Sequence, residues 1–192
     1  MIAGPSGVGK GSVVDGLLAR DPEGLALSVS VTTRAPRPNE RDGVDYRFVS
    51  DEVFDQRIAD DAFLEWAEVV GHRSGTPRDE AEGALDAGRD VILEIDVQGA
   101  RQVRDRVPGA LLIFLAPPSL DELERRLRGR GTESEERIAL RLATAEEELA
   151  QRSWFDHVVV NDRLQRAIDE VAAIIQASRE ASSRPASEEH LP

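Results

Sequence analysis

Apolar positions along the chain follow two rhythms. Val13, Val14, Leu17 and Leu18 recur at helical spacing and predict a helix over residues 11–20. Residues 91–95 and 111–115 are instead short, nearly continuous apolar runs, the mark of strands buried on both faces of a parallel sheet. The same reading places strands at 25–31, 46–49, 64–70 and 158–160, and helices at 51–62, 79–87, 100–106, 120–128, 135–151 and 164–180. Ser50 or Asp51 caps the second helix, and Gly88 ends the third. Residues 32–45, dense in Pro, Arg and charge, read as an ordered loop. Strands alternating with helices predict an α/β fold with a parallel sheet flanked by helices. Only Met1, Ile2 and Ala3 precede Gly4, which is short for a central strand; either that strand is truncated or the native start lies upstream. From residue 181 onward Ser, Pro, Glu and His dominate, as in a disordered tail.

Composition narrows the picture. The 192 residues are 40% hydrophobic, enough for a real core in one domain. The formal charge of −13 opposes a nucleic-acid polymer as partner, so any phosphate site must be a local basic pocket. With no cysteine and three histidines, disulfide scaffolds and thiolate metal sites are excluded and a zinc site is disfavoured. The apolar runs fall far short of the roughly 18 residues a bilayer requires, and no signal peptide is visible, which predicts a cytoplasmic protein without membrane contact. A monomer or small homo-oligomer is expected.

Among the Lys and Arg residues all but one are arginine; the exception, Lys10, closes the run Gly4-Pro5-Ser6-Gly7-Val8-Gly9-Lys10-Gly11-Ser12. That is the G-x-x-x-x-G-K phosphate loop. Its glycines let successive backbone N–H groups point into one concavity, the following helix adds the positive end of its dipole, and the lysine supplies a mobile point charge. The hydroxyl that usually follows the lysine as a Mg²⁺ ligand is replaced by Gly11, leaving Ser12 as the substitute.

Further segments follow in order: residues 28–37 (SVSVTTRAPR), 42–46 (DGVDY), 63–68 (FLEWAE), Gly75-Thr76-Pro77, 92–99 (ILEIDVQG), Pro117-Pro118-Ser119, Gly129-Arg130-Gly131-Thr132 and Val159-Val160-Asn161-Asp162. With the phosphate loop they make the chain resemble the guanylate kinases, P-loop enzymes that phosphorylate GMP with ATP, over nearly its whole length. The resemblance implies a P-loop core (1–27, 89–125, 152–180), an inserted GMP-binding lobe (28–88) and a helical lid (126–151), with 181–192 as tail. It also implies Mg²⁺ with ATP as phosphoryl donor, and GMP, and by extension dGMP, as acceptor.

Residue chemistry stands beside that likeness. Most arginines in so Arg-rich a chain are solvated surface charges, but Arg34 and Arg37, held apart by Pro36, can fork a monophosphate. The family uses these positions, with Tyr46, for the GMP phosphate. Guanine offers N1–H and N2–H donors and an O6 acceptor; Glu65 with Ser30 and Thr76 matches that order, and adenine reverses it. Asp96 ends a buried strand, where a carboxylate must be paired or solvated; Mg²⁺ through water and a contact near the GMP base both remain open, and Glu94 is a weaker candidate. The resemblance brings Arg130 and Arg141 to the transferring phosphoryl group, with Lys10 and Arg34, and sets Asn161 near adenine. Two departures stand out. A frequent Tyr-Tyr pair is Arg73-Ser74 here, and Asn39 replaces a common glycine. A non-catalytic module of the same fold and a P-loop kinase for a sugar phosphate are the alternatives.

Overall fold

The computed structural model describes residues 1–38, 40–69, 71–129 and 134–183. Its core sheet holds β1 (Ile2–Ala3), β2 (Leu25–Leu27), β7 (Asp90–Ile92), β8 (Ile113–Ala116) and β9 (His157–Val160). Every pairing among them is parallel: β2 with β7, β1 with β8, and β8 with β9. The β7 side reaches β1 through a bridge from Glu94 to Ile2, with Ile2 N–H on Leu93 O at 2.9 Å. The spatial order is therefore β2-β7-β1-β8-β9. The three-residue stub does form a strand, only two residues long, at the centre of this order.

Both faces of the sheet are buried at β8, as its continuous apolar run requires, while the edge strand β9 leaves Val158 and Val160 exposed. Ile113 and Leu115 point to one side, with Ile2 and Ile92, against α1 (Lys10–Arg20) and α7 (Leu164–Ser183). Leu112, Phe114 and Ala116 point to the other, with Leu93 and Ile95, against α4 (Val97–Arg106). A Cβ on Gly16 would stand 2.3 Å from Ile168 Cδ1, so this glycine sets how closely α1 and α7 approach. Arg179 fastens α7, donating to Asp21 at 2.8 Å and Asp90 at 2.6 Å. That docking carries the helix through Ser183, so residues 181–183, expected in the tail, are helical; the rest of the tail lies outside the described residues.

A second sheet is inserted between β2 and β7. It runs β4-β3-β6-β5, with β3 (Val31–Thr32), β4 (Arg47–Phe48), β5 (Phe63–Val69) and β6 (His72–Pro77). The expected single strand over 25–31 is thus two. The chain leaves the core sheet after Leu27 and enters the second one at Val31. β6 has no counterpart among the expected strands, because its sequence, HRSGTP, lacks apolar alternation; pairing on both sides, to β3 and β5, holds it in place. Between β4 and β5, α2 (Asp51–Ala59), capped by Ser50, packs Phe54 on Phe63 with ring centroids 4.6 Å apart. α3 (Arg78–Asp86) leads back to β7. Beyond β8, α5 (Leu120–Arg128) and α6 (Glu135–Ala150) share a small apolar cluster of Leu123, Leu127, Ile138 and Ala145. α4 begins at Val97, before the expected residue 100, because Asp96 caps it by accepting the Gly99 N–H at 2.7 Å.

Candidate active site

The phosphate loop turns between β1 and α1. Gly4, Gly7 and Gly9 have φ of 143°, 88° and 97°, the region that disfavours side chains. A Cβ on Gly4 would stand 2.2 Å from Leu115 O, so the loop also needs glycine for its approach to β8. Lys10 folds back, its Nζ donating to Gly4 O at 2.7 Å and to Pro5 O at 3.4 Å. Ser6 Oγ meets the Arg141 guanidinium from α6. Ser12 is exposed on the first turn of α1, and Gly11 is the residue that faces Glu94, whose Oε2 would lie 3.5 Å from a Cβ there.

Asn161, 5% exposed, donates from Nδ2 to Val8 O at 2.8 Å. Arg126 reaches the same carbonyl at 3.3 Å and Asn161 O at 2.9 Å. The Asn161 amide is therefore a brace for the loop, a contact that sequence reasoning did not anticipate. Gly9 makes room for it, since a Cβ would come within 2.7 Å of Nδ2.

In the inserted sheet, a β-bulge between Phe63 and Glu65 breaks the alternation of β5. Phe63, Leu64 and Glu65 are consequently all buried, and Glu65, 4% exposed, turns inward rather than onto the solvent face. Thr76, its cross-strand partner, donates to Glu65 Oε1 at 2.6 Å. A Cβ on Gly99 would stand 2.4 Å from Glu65 Oε2, so the glycine at the start of α4 creates the space for this carboxylate. Burial pushes the Glu65 carboxyl up to about 7; Thr76 opposes the shift and nearby Asp96 adds to it. Ser30 is half-buried just before β3.

Arg34 and Arg37 flank Pro36 as expected, and Glu40 sits between them. Arg34 Nη1 and Nη2 donate to its two oxygens at 2.7 and 2.9 Å. The Arg34 guanidinium lies over the Tyr46 ring at 5.0 Å. Burial, and then Glu94, push the Tyr46 hydroxyl up. Glu94 is itself raised by burial, opposed by Lys10. Glu94 thus stands between the phosphate loop and the Arg34–Tyr46 group. On α6, Glu148 is pushed up to about 7 by burial, with Lys10 opposing and Asp96 adding. Arg73 does not join the phosphate side. It pairs with Asp51 at 2.6 Å and with Asp55, above the Phe54 ring. Ser74 donates to Thr32 Oγ1 at 3.0 Å. Arg130 and Asn39 lie outside the described residues.

Glu40, Gly99 and Arg126 were missed by sequence reasoning. Only Glu40 carried a local signal, a carboxylate three residues after Arg37. Among the described residues no group of three or more acidic, His or Cys side chains could hold a metal, and no helix is long and apolar enough to cross a membrane.

The guanylate kinase family model matches residues 1–178. A guanylate kinase of Thermobifida fusca is 55% identical over 92% of this chain and 90% of its own length. One from a strain of Thermus thermophilus is 53% identical over 96% of this chain and 83% of its own. The crystal structure of guanylate kinase from Anaplasma phagocytophilum superposes with a TM-score of 0.76 at 33% identity, covering 92% of this chain and 82% of that one. A phosphate loop braced by Asn161 and a buried carboxylate–threonine pair are thus embedded in a chain that matches its relatives over most of their length: the chain belongs to the guanylate kinase family.

Proposed function

We propose that this guanylate kinase transfers the γ-phosphoryl group of ATP to the phosphate of GMP across the cleft between the phosphate loop and the Glu65–Thr76 pair. The observation that carries the reading is that buried pair, built to accept donors that guanine has and adenine lacks. Guanine N1–H and N2–H take the Glu65 oxygens, which frees the Thr76 hydroxyl for O6; Ser30 and Asp96 border the base. Arg34, Arg37 and Tyr46 hold the GMP phosphate. Residues 4–12, through the backbone N–H groups of all but Pro5, and the N-terminus of α1 cradle the ATP phosphates, and Lys10 leaves Gly4 O for the β- and γ-oxygens. Asn161 holds the loop in shape.

An oxygen of the GMP phosphate attacks the γ-phosphorus in line as its bond to the β-phosphate oxygen breaks, giving GDP and ADP. Such transfer asks for alignment and charge neutralisation rather than a covalent nucleophile. Lys10, Arg34 and Arg141 supply the positive charge, with Arg130 completing the set. Asp96 and Ser12 are the candidates to hold Mg²⁺, which keeps several waters and needs only one or two protein oxygens. Asp96 has a second carboxylate oxygen beyond its helix cap; Ser12, exposed, is the less suited of the two metal candidates. When bound, Mg²⁺ would neutralise phosphate charge. We assign residues 1–27, 89–125 and 152–180 to the core, 28–88 to the GMP lobe and 126–151 to a lid whose fixed edge is Arg126.

Intact loop glycines and Lys10 disfavour a non-catalytic module, and a sugar phosphate has no use for Glu65 with Thr76. A coupled ADP-release assay with ATP and Mg²⁺ tests the proposal: turnover is expected with GMP and dGMP and not with AMP, UMP or ribose bisphosphate. Lys10→Met should cut kcat by about a thousandfold while leaving the melting temperature unchanged. Turnover with the sugar phosphate, or none with any acceptor, would overturn it.

A further inference from the structure

Two outer strands are closed by the chain's own groups. On β4 the Phe48 N–H is capped by Asp42 Oδ1 at 2.9 Å. Beside β2 the Leu25 N–H goes to Asp21 O at 3.1 Å, and Gly24 O accepts from Arg179 at 3.2 Å. β9 is different. The His157 and Asn161 N–H groups bond to Leu112 O and Ala116 O at 3.2 and 2.8 Å. In a parallel ladder alternate residues therefore face β8, and Val158 and Val160 turn their N–H and C=O outward, where no described strand lies. Their side chains, 41% and 43% exposed, line a groove of about 320 Å³ with Pro118, Leu120 and Leu149. β9 carries no proline, lysine or bulge that would discourage pairing. The groove also has two charged ends. Arg152, on the segment that enters β9, lines it and donates to Leu149 O at 3.1 Å. Asp121, next to Leu120 on the segment that leaves β8, is exposed. Among the described residues neither makes an ion pair. Asp156, near the basic end, is already held by Arg104 at 2.8 Å and by the Leu112 N–H.

We propose that two copies of this chain join along β9, antiparallel about a two-fold axis at Val159, so that their core sheets become one. Val158 of each copy then faces Val160 of the other, and the two exchange main-chain hydrogen bonds. A surface that meets itself about a two-fold axis must be self-complementary. Reversal of the strand supplies this. It sets the Arg152 end of each groove against the Asp121 end of the other, and it brings the exposed valines of both copies into one apolar strip. Each copy carries a formal charge of −13, so the two repel except where apolar surface and opposed charges meet. β9 lies on the far side of the core sheet from β2 and β7, between which the second sheet is inserted, so the junction leaves the proposed GMP lobe clear.

Analytical sedimentation of the full chain over a wide range of concentration tests this, and a reversible monomer–dimer equilibrium is expected. Val160→Lys, which sets an ammonium on the apolar strip, should weaken the dimer about a hundredfold. Arg152→Glu should weaken it about tenfold. Adding Asp121→Arg to that variant should restore it, because the exchanged charges meet again in the antiparallel arrangement. Circular dichroism checks that each variant is folded; should Val160→Lys fail to fold, the charge exchange at two exposed positions carries the test. A chain that stays monomeric at every concentration overturns the proposal and leaves β9 to an extended segment of another protein. A dimer that neither Val160→Lys nor Arg152→Glu weakens overturns it as well, by placing the junction elsewhere. A loss in Arg152→Glu that Asp121→Arg does not restore overturns the two-fold register.

Discussion

The phosphate loop and the Glu65–Thr76 pair are supported in different ways. The loop is held by backbone and by redundancy: three left-handed glycines, a tight approach to β8, and two donors, Asn161 and Arg126, on the same Val8 carbonyl. The pocket depends instead on side chains, with Thr76 donating to Glu65 and Ser74 to Thr32. Redundant backbone support tolerates the loss of one contact. A pocket whose lining is side chains is more sensitive to a single substitution, and can change its ligand by changing one residue.

The largest expected effect falls on the pocket. Glu65→Gln should reduce kcat/KM for GMP by about a thousandfold, because the new amide presents a donor to a donor, and leave the KM for ATP unchanged. The same variant reports on stability. The Glu65 carboxyl keeps its proton to about pH 7 when folded and ionises near 4.5 when unfolded. Between those values the native state binds more protons, so its stability falls as pH rises from about 4.5 to about 7 and then levels off. Glu65→Gln escapes that loss. In urea titrations it should match the unaltered chain at about pH 4 and exceed it at about pH 8, by on the order of 3 kcal/mol.

Gly99→Ala comes next. Its methyl would meet Glu65 Oε2 at 2.4 Å, and the displaced carboxylate should raise the GMP KM about tenfold, again without touching ATP. Asn161→Ala probes the other side and should matter least. It removes one of the two donors on Val8 O, costing about 1–2 kcal/mol in thermal melts and raising the ATP KM several-fold while GMP is unaffected. An Asn161 effect as large as that of Glu65 would erase the contrast between the two regions.

The same contrast governs what can be read from sequence. The phosphate loop is contiguous, its chemistry is local, and it is legible from one run of nine residues. The core strands are legible as buried apolar runs, since a strand covered on both faces has no polar alternation to hide it. β6 is invisible because HRSGTP takes its conformation from neighbours on both sides rather than from its own residues. The inward turn of Glu65 depends on a bulge, and its space depends on a glycine in another element, so no local pattern announces either. Arg73, where a tyrosine is frequent, is captured by Asp51 and Asp55 on α2, carboxylates whose proximity exists only after folding.

Gln102 and Arg106 on α4 reach out to β5. Gln102 accepts from the Trp66 N–H at 3.2 Å and donates to its carbonyl at 2.6 Å, while Arg106 donates to the carbonyls of Phe63 and Leu64. β5 lies at the margin of its sheet, where bare amides and carbonyls would offer a template to any extended polypeptide. A side-chain amide that imitates a neighbouring strand, and a guanidinium that covers two carbonyls, close that template from within the molecule. The contacts that fasten the inserted sheet to the core therefore also guard a crowded solution against chains joining margin to margin.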